Sequence, residues 1–95
     1  MATYTIRLLK PASRELERLD KVVGTRVVRK LRWLGENLDD ISPEPLKGRL
    51  RGLYKLREGD YRIAYERIAY EIFKGERLII VHLIGHRRDI YKMKT

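Results

Sequence analysis

The residues of this chain best suited to chemistry are cations, and they fall in two clusters. Between Lys47 and Arg62 stand Lys47, Arg49, Arg51, Lys55, Arg57 and Arg62, opposed only by Glu58 and Asp60. After Gly85 come Arg87, Arg88, Lys92 and Lys94, with Tyr91 among them and Asp89 as the one acid. Arginine suits phosphate because its planar fork binds two oxygens at once and stays charged, and for the same reason it carries protons poorly. Over the whole chain, 22 Lys and Arg against 13 Asp and Glu give a net charge of +9, which favours polyanionic partners. On composition alone, a solvated basic surface explains that charge equally well.

Other chemistries find little support. Cysteine is absent, so disulfides, thiolate metal sites and cysteine nucleophiles are excluded together. His82 and His86 are four apart, which on a strand is ~13 Å, too far for one ion to bind both, and no metal is expected. His82 lies inside an apolar run and reads as a satisfied core histidine; His86 adjoins Arg87 and is a lesser candidate for touching substrate. Glu58 and Asp60 flank a glycine and read as turn residues. No Ser-His-Asp set and no glycine-rich phosphate loop is present. Trp33 reads by default as packing, with contact to a partner protein as the alternative that its spacing does not decide. Arg87 and Tyr91 would share one face if the tail makes a helical turn.

These residues need a scaffold, and 95 positions suit a single domain, residues 1–95, with one core. Residues 3–9 alternate as a first strand. Pro11 fits the first position of a helix, after which Ala12, Leu16 and Leu19 share a face. A second helix from about Thr25 to Leu38 spaces Val27, Leu31, Leu34 and Leu38 by four, three and four, after Gly24 interrupts the pattern. Residues 39–45, with two prolines, read as an irregular connection. Residues 53–57 and the run from Tyr61 flank a Glu-Gly-Asp turn, and the continuous apolar run 78–84 reads as a strand covered on both faces. The fold class is α+β: an N-terminal strand, a helical hairpin, then a three-stranded antiparallel meander. One twisted sheet would carry the helices on one face and the basic residues on the other. No apolar run is long enough to span a bilayer, and the chain is read as cytoplasmic, without a membrane partner.

Residues 62–66 read RIAYE, and so do residues 67–71. Side chains alternate along a strand, so a copy of odd length moves Ile68 and Tyr70 to the face opposite Ile63 and Tyr65. The repeat should disturb the following hairpin. Because the turn before Arg62 is intact, the first copy is expected to hold the strand and the second to be extruded toward the hairpin tip.

The segment LYKLREGDYRIAYE, an apolar strand and then GHRRDIY together resemble the signature of the RelE family within the RelE/ParE superfamily of toxins. The preceding strand and helical hairpin are also similar, so the resemblance covers nearly the whole chain. It implies a RelE-like fold and a metal-independent endoribonuclease without cofactor, an mRNA interferase that cuts messenger RNA on the ribosome and is neutralised by a cognate antitoxin. It also implies a catalytic set of Lys55, Arg62, Arg87 and Tyr91, with Arg67 as the alternative to Arg62. Lys47, Arg49, Arg51, Arg57, Arg88 and Lys92 would then bind RNA. The chain departs from better-known members in carrying Leu53 where they have a further lysine.

Elementary chemistry is compatible with this set. RNA is cut without a metal when its own 2′-hydroxyl attacks the adjacent phosphate, leaving a 2′,3′-cyclic phosphate and a 5′-hydroxyl. The protein must align the nucleotide and stabilise charge developing on phosphate oxygens. Crowding by Arg57 and other cations would favour a neutral Lys55 acting as base, and Tyr91 would stack on or orient a nucleobase. Two other readings stand beside this one: a ParE-like inhibitor of DNA gyrase, and an inactive binding member of the superfamily.

Overall fold

The computed structural model describes residues 3–68 and 77–92. Its elements run β1 (Thr5–Leu8), α1 (Lys10–Arg18), α2 (Lys21–Asn37), β2 (Glu44–Pro45), β3 (Tyr54–Glu58), β4 (Tyr61–Ile68) and β5 (Leu78–His86), with 3-10 turns at Leu38–Asp40, Gly48–Leu50 and Ile90–Lys92. The strands form one sheet in the order β1-β5-β4-β3-β2, with β1 parallel to β5 and the other pairs antiparallel. The α+β architecture follows the sequence reading, with one strand more. β2 lies in the proline-flanked segment expected to be irregular, where two residues are too few to show any alternation.

The second helix also starts earlier than its apolar spacing suggests. Asp20 caps it by accepting a hydrogen bond from the Val22 amide at 2.8 Å, so Gly24 lies inside the helix and does not interrupt it. Val27, Leu31, Leu34 and Leu38 are all buried, and they meet Leu56, Ile63, Tyr65, Ile79, Val81 and Ile84 from one face of the sheet. Each fully buried Leu or Ile contributes about 1.5–3 kcal/mol relative to exposure, so this layer supplies most of the favourable burial. Gly35 lets β1 approach α2 closely: the Tyr4 amide donates to the Gly35 carbonyl at 2.9 Å, and a Cβ there would lie 3.0 Å from the Tyr4 carbonyl oxygen.

A second, smaller cluster sits on the opposite face. Leu46, Leu50 and Leu53 from the β2–β3 connection pack with Ala64, Leu83 and Ile90. That face is therefore not wholly basic, since the connection and the C-terminal turn cover part of it.

The described residues hold the first copy of the tandem repeat and the start of the second. The first copy lies in β4, and Arg67 and Ile68 of the second continue the same ladder opposite Ile79 and Leu78. These two residues are strand and are not extruded; residues 69–76, which include the rest of the second copy and the hairpin tip, lie outside the described residues. The register shift occurs on the other strand. Ala64 pairs with Leu83 but Tyr65 pairs with Val81, which leaves His82 as the extra residue of a bulge. This explains why Val81 and Ile84, three apart, both reach the helix-side core. His82 is accordingly a partly exposed bulge residue rather than a core histidine, with its Nε2 3.1 Å from Glu66 Oε1.

Candidate functional site

The alternation of β3 and β4 puts Lys55, Arg57 and Arg62 on one face of the sheet, the side away from the helices. Leu56 and Ile63, which pair with each other, belong to the helix-side core, so their neighbours Arg57 and Arg62, also paired, fall on the other side. Arg62 in turn pairs with Gly85, a buried residue of β5. Arg57, Arg62 and Gly85 thus form one row across three strands, with Lys55 opposite Ala64 in the next row on that face.

The β3–β4 turn organises both arginines. Gly59 adopts φ 58°, a left-handed conformation that glycine reaches without strain. Arg62 Nη1 donates to the carbonyls of Gly59 at 2.9 Å and Tyr61 at 3.0 Å. At the end of β5 the Arg87 amide donates to the Asp60 carbonyl at 2.8 Å, and Arg87 Nε lies 3.8 Å from Asp60 Oδ1. The turn is tied to the helical layer by Arg26, whose Nη2 donates to Glu58 Oε2 at 3.0 Å. Glu58 and Asp60 are therefore turn residues that also hold cations.

Lys55 is not surrounded by cations alone, as the sequence suggested. Its Nζ lies 2.5 Å from Oε2 of Glu44, the residue directly opposite on β2. The hydrogen bond from Lys55, then its charge and those of Arg57 and Arg62, hold the Glu44 carboxyl below its usual range. Sequence reasoning missed Glu44 because it stands in a segment without periodicity. Its one signal was an acid beside a run of cations.

The C-terminal candidates sit on a turn followed by a 3-10 segment, not on an α-helical turn, so the premise that Arg87 and Tyr91 share a helix face is not met. Ile90 anchors the segment in the smaller cluster, while Tyr91 is 52% exposed. Arg49 Nη2 donates to the Tyr91 carbonyl at 3.2 Å, linking the β2–β3 connection to the tail. Lys47, Arg51, Arg88 and Lys92 are exposed around it. His86 is committed to packing and turn formation: its ring meets Tyr61 edge-on at 5.6 Å, and its Nδ1 accepts from the Arg88 amide at 3.1 Å.

Arg67 belongs elsewhere. It is five residues from Arg62, ~17 Å along an extended strand. Its Nε donates to the Tyr4 hydroxyl at 3.1 Å, and its Nη2 lies 3.5 Å from Asp39 Oδ1. Arg77 bonds the same hydroxyl at 2.7 Å and the other Asp39 oxygen. Hydrogen bonds from Arg77 and Tyr4, with the charges of both arginines, hold the Asp39 carboxyl below its ordinary value.

A hollow of about 440 Å³ lies between α1 and α2, lined in part by Leu16, Leu19 and Val28. Among the described residues no group of three or more His, Cys, Asp or Glu could hold a metal ion. An extended polyanion laid across Arg57, Arg62 and Lys55, with its end at Arg87, is what this geometry can accept.

Comparisons with known proteins fit this frame. Residues 6–91 match the family described as the ParE toxin of type II toxin–antitoxin systems. Among solved structures, the chain is similar to the RelBE2 toxin–antitoxin complex of Mycobacterium tuberculosis, with 26% identity, a TM-score of 0.72 and coverage of 94% of this chain and 97% of that one. It is also similar to a variant of the Escherichia coli toxin RelE in the free state, at 24% identity and TM-score 0.68, covering 96% and 90% of the two chains. An archaeal RelE–RelB complex from Pyrococcus horikoshii gives 24% identity and TM-score 0.63 over 90% and 96%. No curated protein sequence matches the chain.

Proposed function

We propose that this chain, which belongs to the ParE toxin family of type II toxin–antitoxin systems within the RelE/ParE superfamily, is an endoribonuclease that cleaves messenger RNA on the ribosome. The observation that carries this reading is the row Arg57–Arg62–Gly85 with Lys55 beside it and Arg87 anchored at Asp60. Cations brought together from neighbouring strands match the demands of phosphodiester cleavage better than those of a protein-docking face.

The RNA's 2′-oxygen attacks its own phosphorus and the bond to the 5′-oxygen breaks, yielding a 2′,3′-cyclic phosphate and a 5′-hydroxyl. The proton of the 2′-hydroxyl passes to solvent water as the new bond forms, and the departing 5′-oxygen takes one up from water. Arg62 and Arg87 bind the non-bridging oxygens and stabilise the charge that grows there, and Lys55 adds a third cation. In the free chain Lys55 pairs with the Glu44 carboxylate, and in this reading it meets a phosphate oxygen in the same way. Tyr91 offers an exposed ring for stacking a nucleobase. Lys47, Arg49, Arg51, Arg57, Arg88 and Lys92 extend the basic surface along the strand of RNA.

The partner in this reading is a cognate antitoxin whose acidic or amphipathic segment covers the basic face, and the toxin acts in the cytoplasm, where messages are translated. The relatives from M. tuberculosis and P. horikoshii are themselves toxin–antitoxin complexes. The family match to ParE favours a second reading, inhibition of DNA gyrase. Purified protein added in parallel to a translation assay and a gyrase supercoiling assay separates the two. Message cleavage with supercoiling intact is the expected result, and the reverse would replace this proposal with the second.

A further inference from the structure

Three cations of the proposed site are met by acceptors from the protein itself. Arg62 donates to two carbonyls of the β3–β4 turn, Arg87 lies near Asp60, and Lys55 pairs with Glu44. Glu44 differs from the others in being placed by a strand pairing: β2 is two residues long, and its pairing sets Glu44 directly across from Lys55. The pair is asymmetric, since the Glu44 side chain is 61% exposed and that of Lys55 only 22%. The carboxylate is therefore the more accessible member of the pair, and it occupies an acceptor position on Lys55 that a phosphate of bound RNA would need.

We propose that Glu44 is a positioning residue that stands in for a substrate phosphate, holding Lys55 in place in the free toxin and giving way when RNA binds. The inference deepens the proposed function and rests on it. An exposed ion pair contributes little to stability because water and salt screen it, so exchanging the carboxylate for a phosphate is cheap. Glu44 stays anionic at neutral pH, held so first by its hydrogen bond from Lys55. Until displaced it repels the incoming strand, and RNA affinity is set by that competition. β2 is the end strand of the sheet, so the Glu44 side chain can swing into solvent without disturbing the core.

The test uses the full chain, a short single-stranded RNA blocked by 2′-O-methylation, and the variants Glu44→Gln and Glu44→Asp. Losing one unit of repulsion near a phosphate should tighten binding of Glu44→Gln about five-fold at low salt. That gain should shrink as ionic strength rises. Cleavage by Glu44→Gln should show a lower KM with kcat little changed, and Glu44→Asp, which keeps the charge, should stay near wild type. Unchanged affinity in a folded Glu44→Gln protein would overturn the proposal. So would a collapse of kcat at constant KM together with loss of the acidic limb of the pH–rate profile, which would make Glu44 a proton acceptor in the reaction. If the wild-type chain cuts no message, the proposed function fails, while the binding comparison still decides the role of Glu44.

Discussion

Arg62 and Arg67 open identical pentapeptides, yet their surroundings assign them different work. Arg62 lies opposite Gly85 and bonds the turn that also holds Arg87, whereas Arg67 joins Tyr4 and Asp39 toward the other end of β4. Arg62→Ala should therefore lose most cleavage activity, on the scale of ~3–4 kcal/mol for removing one preorganised donor. Arg67→Ala should cleave at close to the wild-type rate, and the opposite ranking of the two would show that the site is built around the second copy. Tyr91 is separable in the same way. If stacking is its role, Tyr91→Phe keeps activity and Tyr91→Ala loses it; equal losses would point to the hydroxyl. Asp39 provides a pH signature. Its carboxyl is held below the ordinary value in the folded chain, so its contribution is present above that ordinary value and is lost as pH falls through the folded one. Thermal melts should find Asp39→Asn less stable than wild type at neutral pH, with the difference closing in acid, and a gap independent of pH would contradict the assignment.

At the scale of elements, much of the fold was legible because burial leaves a period. The stripe Val27, Leu31, Leu34 and Leu38 identified α2, and the alternation around Leu56 and Ile63 put Lys55, Arg57 and Arg62 on one face. What could not be read had no period to leave. Glu44–Pro45 is too short to alternate, and the bulge at His82 lies in an apolar run whose residues are alike on both faces. Hence the sequence showed the cations of the site but not their carboxylate partner, and the roles of Arg87 and Tyr91 came from family resemblance rather than from spacing. β4 also carries a testable flaw. The hydroxyl of Tyr65 is buried without a hydrogen-bond partner among the described residues, and burial pushes its pKa up to about 12. An unsatisfied buried polar group costs about 1–3 kcal/mol, so Tyr65→Phe should raise the melting temperature. A clear loss of stability in Tyr65→Phe would mean that the hydroxyl has a partner.

For the molecule as a whole, two layers divide the labour. The helices and one sheet face make the main core, and the other face, partly covered by the smaller cluster, carries Lys55, Arg57 and Arg62. With a net charge of +9, binding to any RNA will weaken steeply with salt, so affinity alone cannot distinguish a nuclease from a basic binding protein. The position and chemistry of a cut can. Primer extension on a message held by translating ribosomes, comparing wild type with Arg87→Ala, tests the central claim most directly. The account predicts discrete ribosome-dependent stops with wild-type protein, 2′,3′-cyclic phosphate and 5′-hydroxyl ends at those stops, and near-complete loss of them with a folded Arg87→Ala protein. Stops of equal strength with Arg87→Ala, or none with the wild-type chain, would contradict it.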